Sequence, residues 1–205
     1  MALDADTLAN LMLPIFGFVN PNSQKEFGAY AQGVVMGLKA STVEVQTTGI
    51  AGAPGPETGI GAIQGGAVTM LPIVIANSVG VIPPPNGTPT PTQLLWYTAI
   101  SQIATYVLTA LQVDAPPTDG VATGFATVLP GGFKVQADII SSSIKLAYVS
   151  KGLIPTPLRL QVADVIGKST QQALQIATMA FPILKGVPAS PPSPAPPGVR
   201  IGIIS

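Results

Sequence analysis

Several short motifs carry residue types that perform chemistry in other settings. Gly167-Lys168-Ser169-Thr170 ends like the loop G-x-x-x-x-G-K-[ST], whose backbone, lysine and hydroxyl hold phosphate and magnesium. That loop requires a glycine at position 162, where Val162 stands, and the surrounding periodicity is that of a helix interior, so Lys168 and Ser169 read as ordinary helix residues. Ser142-Ser143-Ile144-Lys145 supplies the S-x-x-K of acyl-transferring serines, but the companion S-D-N and K-T-G elements are missing. Gly59-Ile60-Gly61-Ala62-Ile63-Gln64-Gly65 misspaces the last glycine of G-x-G-x-x-G, and no acidic residue follows for more than forty positions to hold a ribose. Asp4 and Asp6 suit helix capping, whereas Asp114 and Asp119 flank a Pro-Pro turn without the spacing of a calcium loop. Asn86-Gly87-Thr88 matches a glycosylation sequon but, without a secretory signal, reads as a turn. Cysteine and histidine are absent, which removes thiol nucleophiles, disulfides, Cys/His zinc sites and the usual general base. The reading assigns no catalytic, cofactor or metal residue and no small-molecule substrate. Nucleic-acid binding lacks its basic patch interleaved with aromatics.

What remains is an unusual balance of charge. Of 205 residues 47% are apolar and 9% charged, nine basic against nine acidic, with 22 glycines and 22 prolines. An ordinary soluble domain carries roughly 25% charged residues. A neutral, sparsely charged surface favours association, so this one is expected to face other protein chains or a membrane. Disordered chains are polar or highly charged, and this one is apolar. The charges are also segregated: seven acids and two lysines through Gly120, then two acids and seven basic residues, so the halves carry −5 and +5. Such a split suits head-to-tail association, and chance placement of eighteen charges is the competing account.

Helical segments follow from the turns. Gly17-Phe18-Val19-Asn20-Pro21, Gly80-Val81-Ile82-Pro83 and Gly152-Leu153-Ile154-Pro155 share glycine, two apolar residues and a nearby proline, the physical stop signal of a helix. Helices are predicted before them at Asp4–Phe16, Ala67–Val79 and Phe133–Lys151, and after them at Ser23–Lys39, Thr92–Gln112 and Pro157–Phe181. Phe27, Tyr30, Ala31, Val34, Val35 and Leu38 form one apolar face. Leu158, Val162, Val165, Ile166, Ala173 and Ile176 form another, opposite Gln161, Asp164, Lys168, Gln171, Gln175 and Thr178. The connectors 42–66 and 113–132 both hold a Thr-Gly-apolar step and close on Gly-Gly, and alternation at Val43/Val45 and Phe125/Val128 predicts short strands. The fold class is mainly α with short β elements (α+β): three tandem helical hairpins, about residues 4–66, 67–132 and 133–185, joined by Thr/Gly/Pro-rich connectors that form β-ribbons or lie on neighbouring chains. They make one domain, 1–187. Residues 188–205 form a Pro-rich extended arm, with six prolines in Pro188–Pro197 and a β-prone end at Val199, Ile201, Ile203 and Ile204. That end either adds a strand to an adjacent subunit or folds back on its own body.

No charge lies between Thr58 and Val113. Ala67–Ile82 is short of the roughly 20 residues a bilayer needs. Leu94–Val113 is long enough, but Thr98, Ser101, Gln102, Thr105, Thr109 and Gln112 line one side and Trp96, Ile100, Ile103, Val107 and Leu111 the other, the pattern of an amphipathic helix with an uncharged polar face. Trp96, Ile100, Ile103 and Val107 are therefore contact candidates. Ala29, Gly33 and Gly37 form a small-residue stripe that lets another helix approach closely, in the same chain or in a neighbour.

Tandem hairpins with Thr/Gly-rich connectors (Thr58-Gly59-Ile60-Gly61), almost no charge and no cysteine or histidine resemble small virion structural proteins of tailed bacteriophages. The resemblance spans about residues 4–181; the proline-rich tail departs from it. It implies a non-enzymatic subunit of a tail, baseplate, neck or head, present in many copies, whose partners are itself and other virion proteins and whose location is the virion, assembled in the host cytoplasm. The alternative is a membrane-active or ejected protein using the uncharged stretch 67–113.

Overall fold

The computed structural model describes residues 3–17, 19–47, 50–51, 59–60, 62–63, 91–111, 113–115, 124–128, 131–176, 179–183, 193–194 and 198–204. Among these are five helices and an antiparallel sheet, so the molecule is α+β and mostly helical. The predicted helix 67–79, the turn at Gly80 and the Asn86 sequon lie outside the described residues, so the repetition of three hairpins is not carried into the architecture.

Helix α1 (Ala5–Phe16) starts where Asp4, its N-cap, accepts the backbone N–H groups of Asp6 and Thr7, and ends at Gly17 with φ 65°. Helix α2 (Pro21–Lys39) begins with a capping box: Asn20 accepts from the Asn22 and Ser23 N–H groups, Ser23 accepts from the Asn20 N–H, and Pro21 takes the first-turn position where no donor is needed. Helix α3 (Pro91–Ala110) follows, then α4 (Ala137–Ser150) and α5 (Pro157–Ile176), whose link passes through Gly152 at φ 71°. Two of the three predicted glycine stops thus take the left-handed conformation that glycine alone adopts without strain.

The expected apolar face of α2 is buried from Phe27 through Leu38, and Ile100, Ile103 and Val107 of α3, with Leu111 just past its end, enter the same core as Ile140, Ile144, Ala147 and Tyr148 of α4 and Ile166 of α5. Helix α4 is the middle of the helical layer, packed on α2 along one side and on α5 along the other. Two predicted helices are too long. Phe133–Lys134 and Met179–Ile183 are strands, and the helices start at Ala137 and end at Ile176. Leu158, placed on the apolar face of α5 by its spacing, is exposed because it lies in the first turn, ahead of the buried Val162.

The strands are β1 (Thr42–Thr47), β2 (Ile50–Ala51), β3 (Gly59–Ile60), β4 (Ala62–Ile63), β5 (Val113–Ala115), β6 (Gly124–Val128), β7 (Phe133–Lys134), β8 (Met179–Ile183), β9 (Ser193–Pro194) and β10 (Gly198–Ile204). All pairings are antiparallel. Strand β10 runs along β1 from Thr42↔Ile203 to Thr47↔Gly198 and continues onto β5. From β5 the pairing passes to β3, then β8, then β6, which returns to β1, so the circuit of hydrogen bonds closes on itself. Strand β9 pairs with β2. Thus the connectors do carry β structure, and Gly198–Ile204 lies on Thr42–Thr47 of its own chain. Val43, Phe133 and Ile204 turn inward to the helical core, whereas Thr42, Lys134 and Ile203 are exposed on the other face.

Candidate functional site

The small-residue stripe finds its partner within the chain. Ala29, Gly33 and Gly37 are buried against α4: a Cβ built on Gly33 would overlap the Ile144 backbone, and one on Gly37 would lie 2.6 Å from Ile140 Cα. Gly167, in the segment whose likeness to a phosphate loop the sequence itself rejects, serves the same purpose on the opposite side of α4, where a Cβ would lie 2.5 Å from the Ala137 carbonyl oxygen. These glycines set helix separation. Ala29, Gly33 and Gly37 are therefore not available to a neighbouring subunit, and neither are Ile100, Ile103 and Val107, each at most 3% exposed. Trp96 falls in α3, Val199 and Ile201 in β10; Ile204 is buried, and of the predicted contact residues whose side chains are described, Ile203 alone is open, at 60%.

Two polar clusters hold the helices in register. Ser141 Oγ donates to Asp164 Oδ1, and Lys145 Nζ donates to the same oxygen at 2.8 Å. The lysine, then the serine, hold the Asp164 carboxyl below its ordinary value of 3.8. Ser142, the serine of the S-x-x-K spacing, is exposed, and Lys145 is paired with the Asp164 carboxylate instead of with that serine. Ser141 and Lys145, one helical turn apart, were the informative pair.

The second cluster is more enclosed. Arg159 Nε donates to both Glu26 carboxylate oxygens at 2.9 and 3.0 Å, and Tyr30 Oη donates to Glu26 Oε1 at 2.6 Å. Tyr148 Oη donates to the Arg159 carbonyl at 2.8 Å, and the rings of Phe27, Tyr30 and Tyr148 meet edge to face. Burial, then the Glu26 hydrogen bond, push the Tyr30 phenol far above its ordinary value of 10.0, and burial does the same to Tyr148. The network clamps α2 to α5 around the end of α4, with Glu26 and Arg159 half-buried.

Two of the three ion pairs among the described residues, Glu26–Arg159 and Glu44–Lys134, join an acid of the first half to a base of the second. The segregation of charge is thus partly used inside the chain. Among the described residues no group of three or more Asp or Glu gathers that could hold a metal ion, and no helix is long and apolar enough to cross a membrane.

The surface offers two features. One is an open cleft of about 510 Å³ lined by Gly131, Phe133, Lys134, Gln136, Gln171 and Gln175, where Gln171 Nε2 donates to the Val135 carbonyl at 3.0 Å. Its Lys134 is paired with Glu44, and the rest of its lining is glutamine side chains, Phe133 and backbone. The other is apolar. Leu146 and Val149 on the outer side of α4, Ile154 in the α4–α5 link and Leu158 on the first turn of α5 are 64–76% exposed. All four belong to one helix–link–helix segment. Sequence reasoning missed Leu146 and Val149, although both fall off the face formed by Ile140, Ile144 and Tyr148. Comparison with protein-family models, curated proteins and solved structures finds no match for this chain.

Proposed function

We propose that the chain is a non-enzymatic structural subunit of a large symmetric assembly, and more specifically a virion component of a tailed bacteriophage, in the tail, baseplate, neck or as a head accessory, working through contacts with its own copies and with other virion proteins. The observation that supports it most is the apolar group Leu146, Val149, Ile154 and Leu158, left open on a chain of zero net charge. A surface of this kind has little to keep copies apart and an apolar area to bring them together. The two polar clusters support the same reading, because their donors and acceptors are consumed in joining helices. The three tandem hairpins, read from the turns at Gly17, Gly80 and Gly152, belong to this proposal.

The test is the mass of the purified protein in detergent-free buffer, by sedimentation or light scattering. A defined multi-copy particle is the expected result. A monomer at high concentration, or recovery only with detergent or liposomes, overturns the reading, the second outcome in favour of a membrane-active protein.

A further inference from the structure

The last described strand is built as a separable part. Residues 198–203 pair with Thr42–Thr47, and Ser193–Pro194 pairs with Ile50–Ala51. The second pairing continues the line of the first with a slip of one residue: Ile50 is three residues beyond Thr47, and Pro194 four before Gly198. The tail therefore pairs with β1 through Gly198–Ile203 and with β2 through Ser193–Pro194, with β5 on its other side at Ile203 and Ile204. It is the strand through which the circuit of pairings closes, and without it β1 presents a row of unpaired backbone groups.

The connection to the body has more length than closure within one chain needs. Gly198 pairs with Thr47, Thr47 with Ala126 and Ala126 with Phe181, so β8 and β10 are three interstrand steps apart and both termini of the crossing lie at the same end of the sheet. At roughly 4.8 Å per step the crossing is about 15 Å wide. Residues 184–192, with prolines at 188, 191 and 192, lie between Ile183 and Ser193. Nine residues of any chain span at most about 30 Å when fully extended. Proline also removes backbone donors that would tighten a return turn. A connector of this reach and composition serves delivery to a second molecule at least as well as return to the first.

We propose that residues 193–204 of one copy lie along β1 and β2 of a neighbouring copy, so that each subunit lends its last strand and receives another's. The partner is a second copy of this chain, and the recognition is antiparallel strand addition, with Val43 and Ile204 supplying the inward apolar contact. Because the contact surfaces are those already drawn, the exchanged and unexchanged forms share one ladder, and a high local density of copies selects the exchanged one. The inference rests on the multi-copy reading above.

The absence of cysteine makes the test clean. Thr42 and Ile203 are register partners with exposed side chains. Full-length chains carrying Thr42→Cys alone and Ile203→Cys alone are co-expressed, purified as the assembly and oxidised, alongside the chain carrying both. Strand exchange between randomly mixed copies predicts that about half of the chains of the mixture run as disulfide-linked pairs on a non-reducing gel, and that the double variant gives linked dimers or a ladder of multimers. An intrachain disulfide in the double variant with no linked pairs in the mixture overturns the exchange. If wild-type protein is then multi-copy by sedimentation, the assembly reading survives; if it is monomeric, both fail. Glu44→Cys with Ile201→Cys, two residues along the same ladder, repeats the measurement should the first pair misfold. Absence of any disulfide in both sets would mean that the strand does not lie on β1, which also overturns the proposal.

Discussion

Gly33 and Gly28 lie on the same helix and respond oppositely to one added methyl group. At Gly33 the methyl overlaps the Ile144 backbone, whereas at Gly28 it meets only the flexible end of Lys151 at 3.6 Å. Gly33→Ala is expected to cost about 1–3 kcal/mol, since α2 and α4 must move apart. Gly28→Ala is expected to stabilise by about 0.5–1 kcal/mol, because it lowers the entropy lost on folding without a clash. Urea denaturation midpoints read both, and equal shifts of the same sign would contradict the packing. That the stripe meets another helix was legible from spacing alone. Which helix was not, because a period of four residues defines a face and says nothing of what covers it. Gly167 sits inside its helix, as the periodicity required, but its packing role was not legible, because the Ala137 carbonyl that explains the glycine is thirty residues away in sequence.

Periodicity located the long helices because each buries one face and solvates the other, so the three-four spacing of apolar residues survives in α2, α3 and α5. It failed where a helix abuts a strand. Phe133–Lys134 and Met179–Ile183 sit beside apolar helical runs, and two to five residues are too few for alternation to be distinguished from a helical turn. The clamp that joins these helices was invisible for another reason, since Glu26 and Arg159 are 133 residues apart. It nevertheless has a signature in solution. A phenol whose proton is held more tightly in the folded state than in the unfolded chain stabilises the fold fully below the ordinary value of 10.0, and that stability falls as pH rises above it. Stability measured from about pH 9 to 12 is therefore expected to decline, and Tyr30→Phe to make the decline shallower while costing about 1 kcal/mol at neutral pH through the lost hydrogen bond to Glu26. Tyr148, raised in the same way by burial, adds to the slope. An unchanged slope in Tyr30→Phe would show that the phenol is ionised as readily in the folded protein as outside it.

For the whole molecule, the open apolar group on α4 and α5 separates folding from association. Leu146 is 64% exposed, so Leu146→Glu is expected to move the urea midpoint by less than about 0.5 kcal/mol. In the proposed assembly the same substitution places a charge in an apolar contact and should shift sedimentation toward smaller species. Retention of the full particle would remove this surface from the list of contacts. The closed circuit of strands carries a different consequence, one of order in time. Strand β1 leaves the ribosome about 150 residues before β10, whereas the contacts of α1 with α2 and of α4 with α5 are local and form as soon as each pair is made. The helical layer is thus complete while the place beside β1 is still empty. During that interval the nascent chain is a receptor without its own strand, and in a crowded site of synthesis the first strand to arrive need not belong to it.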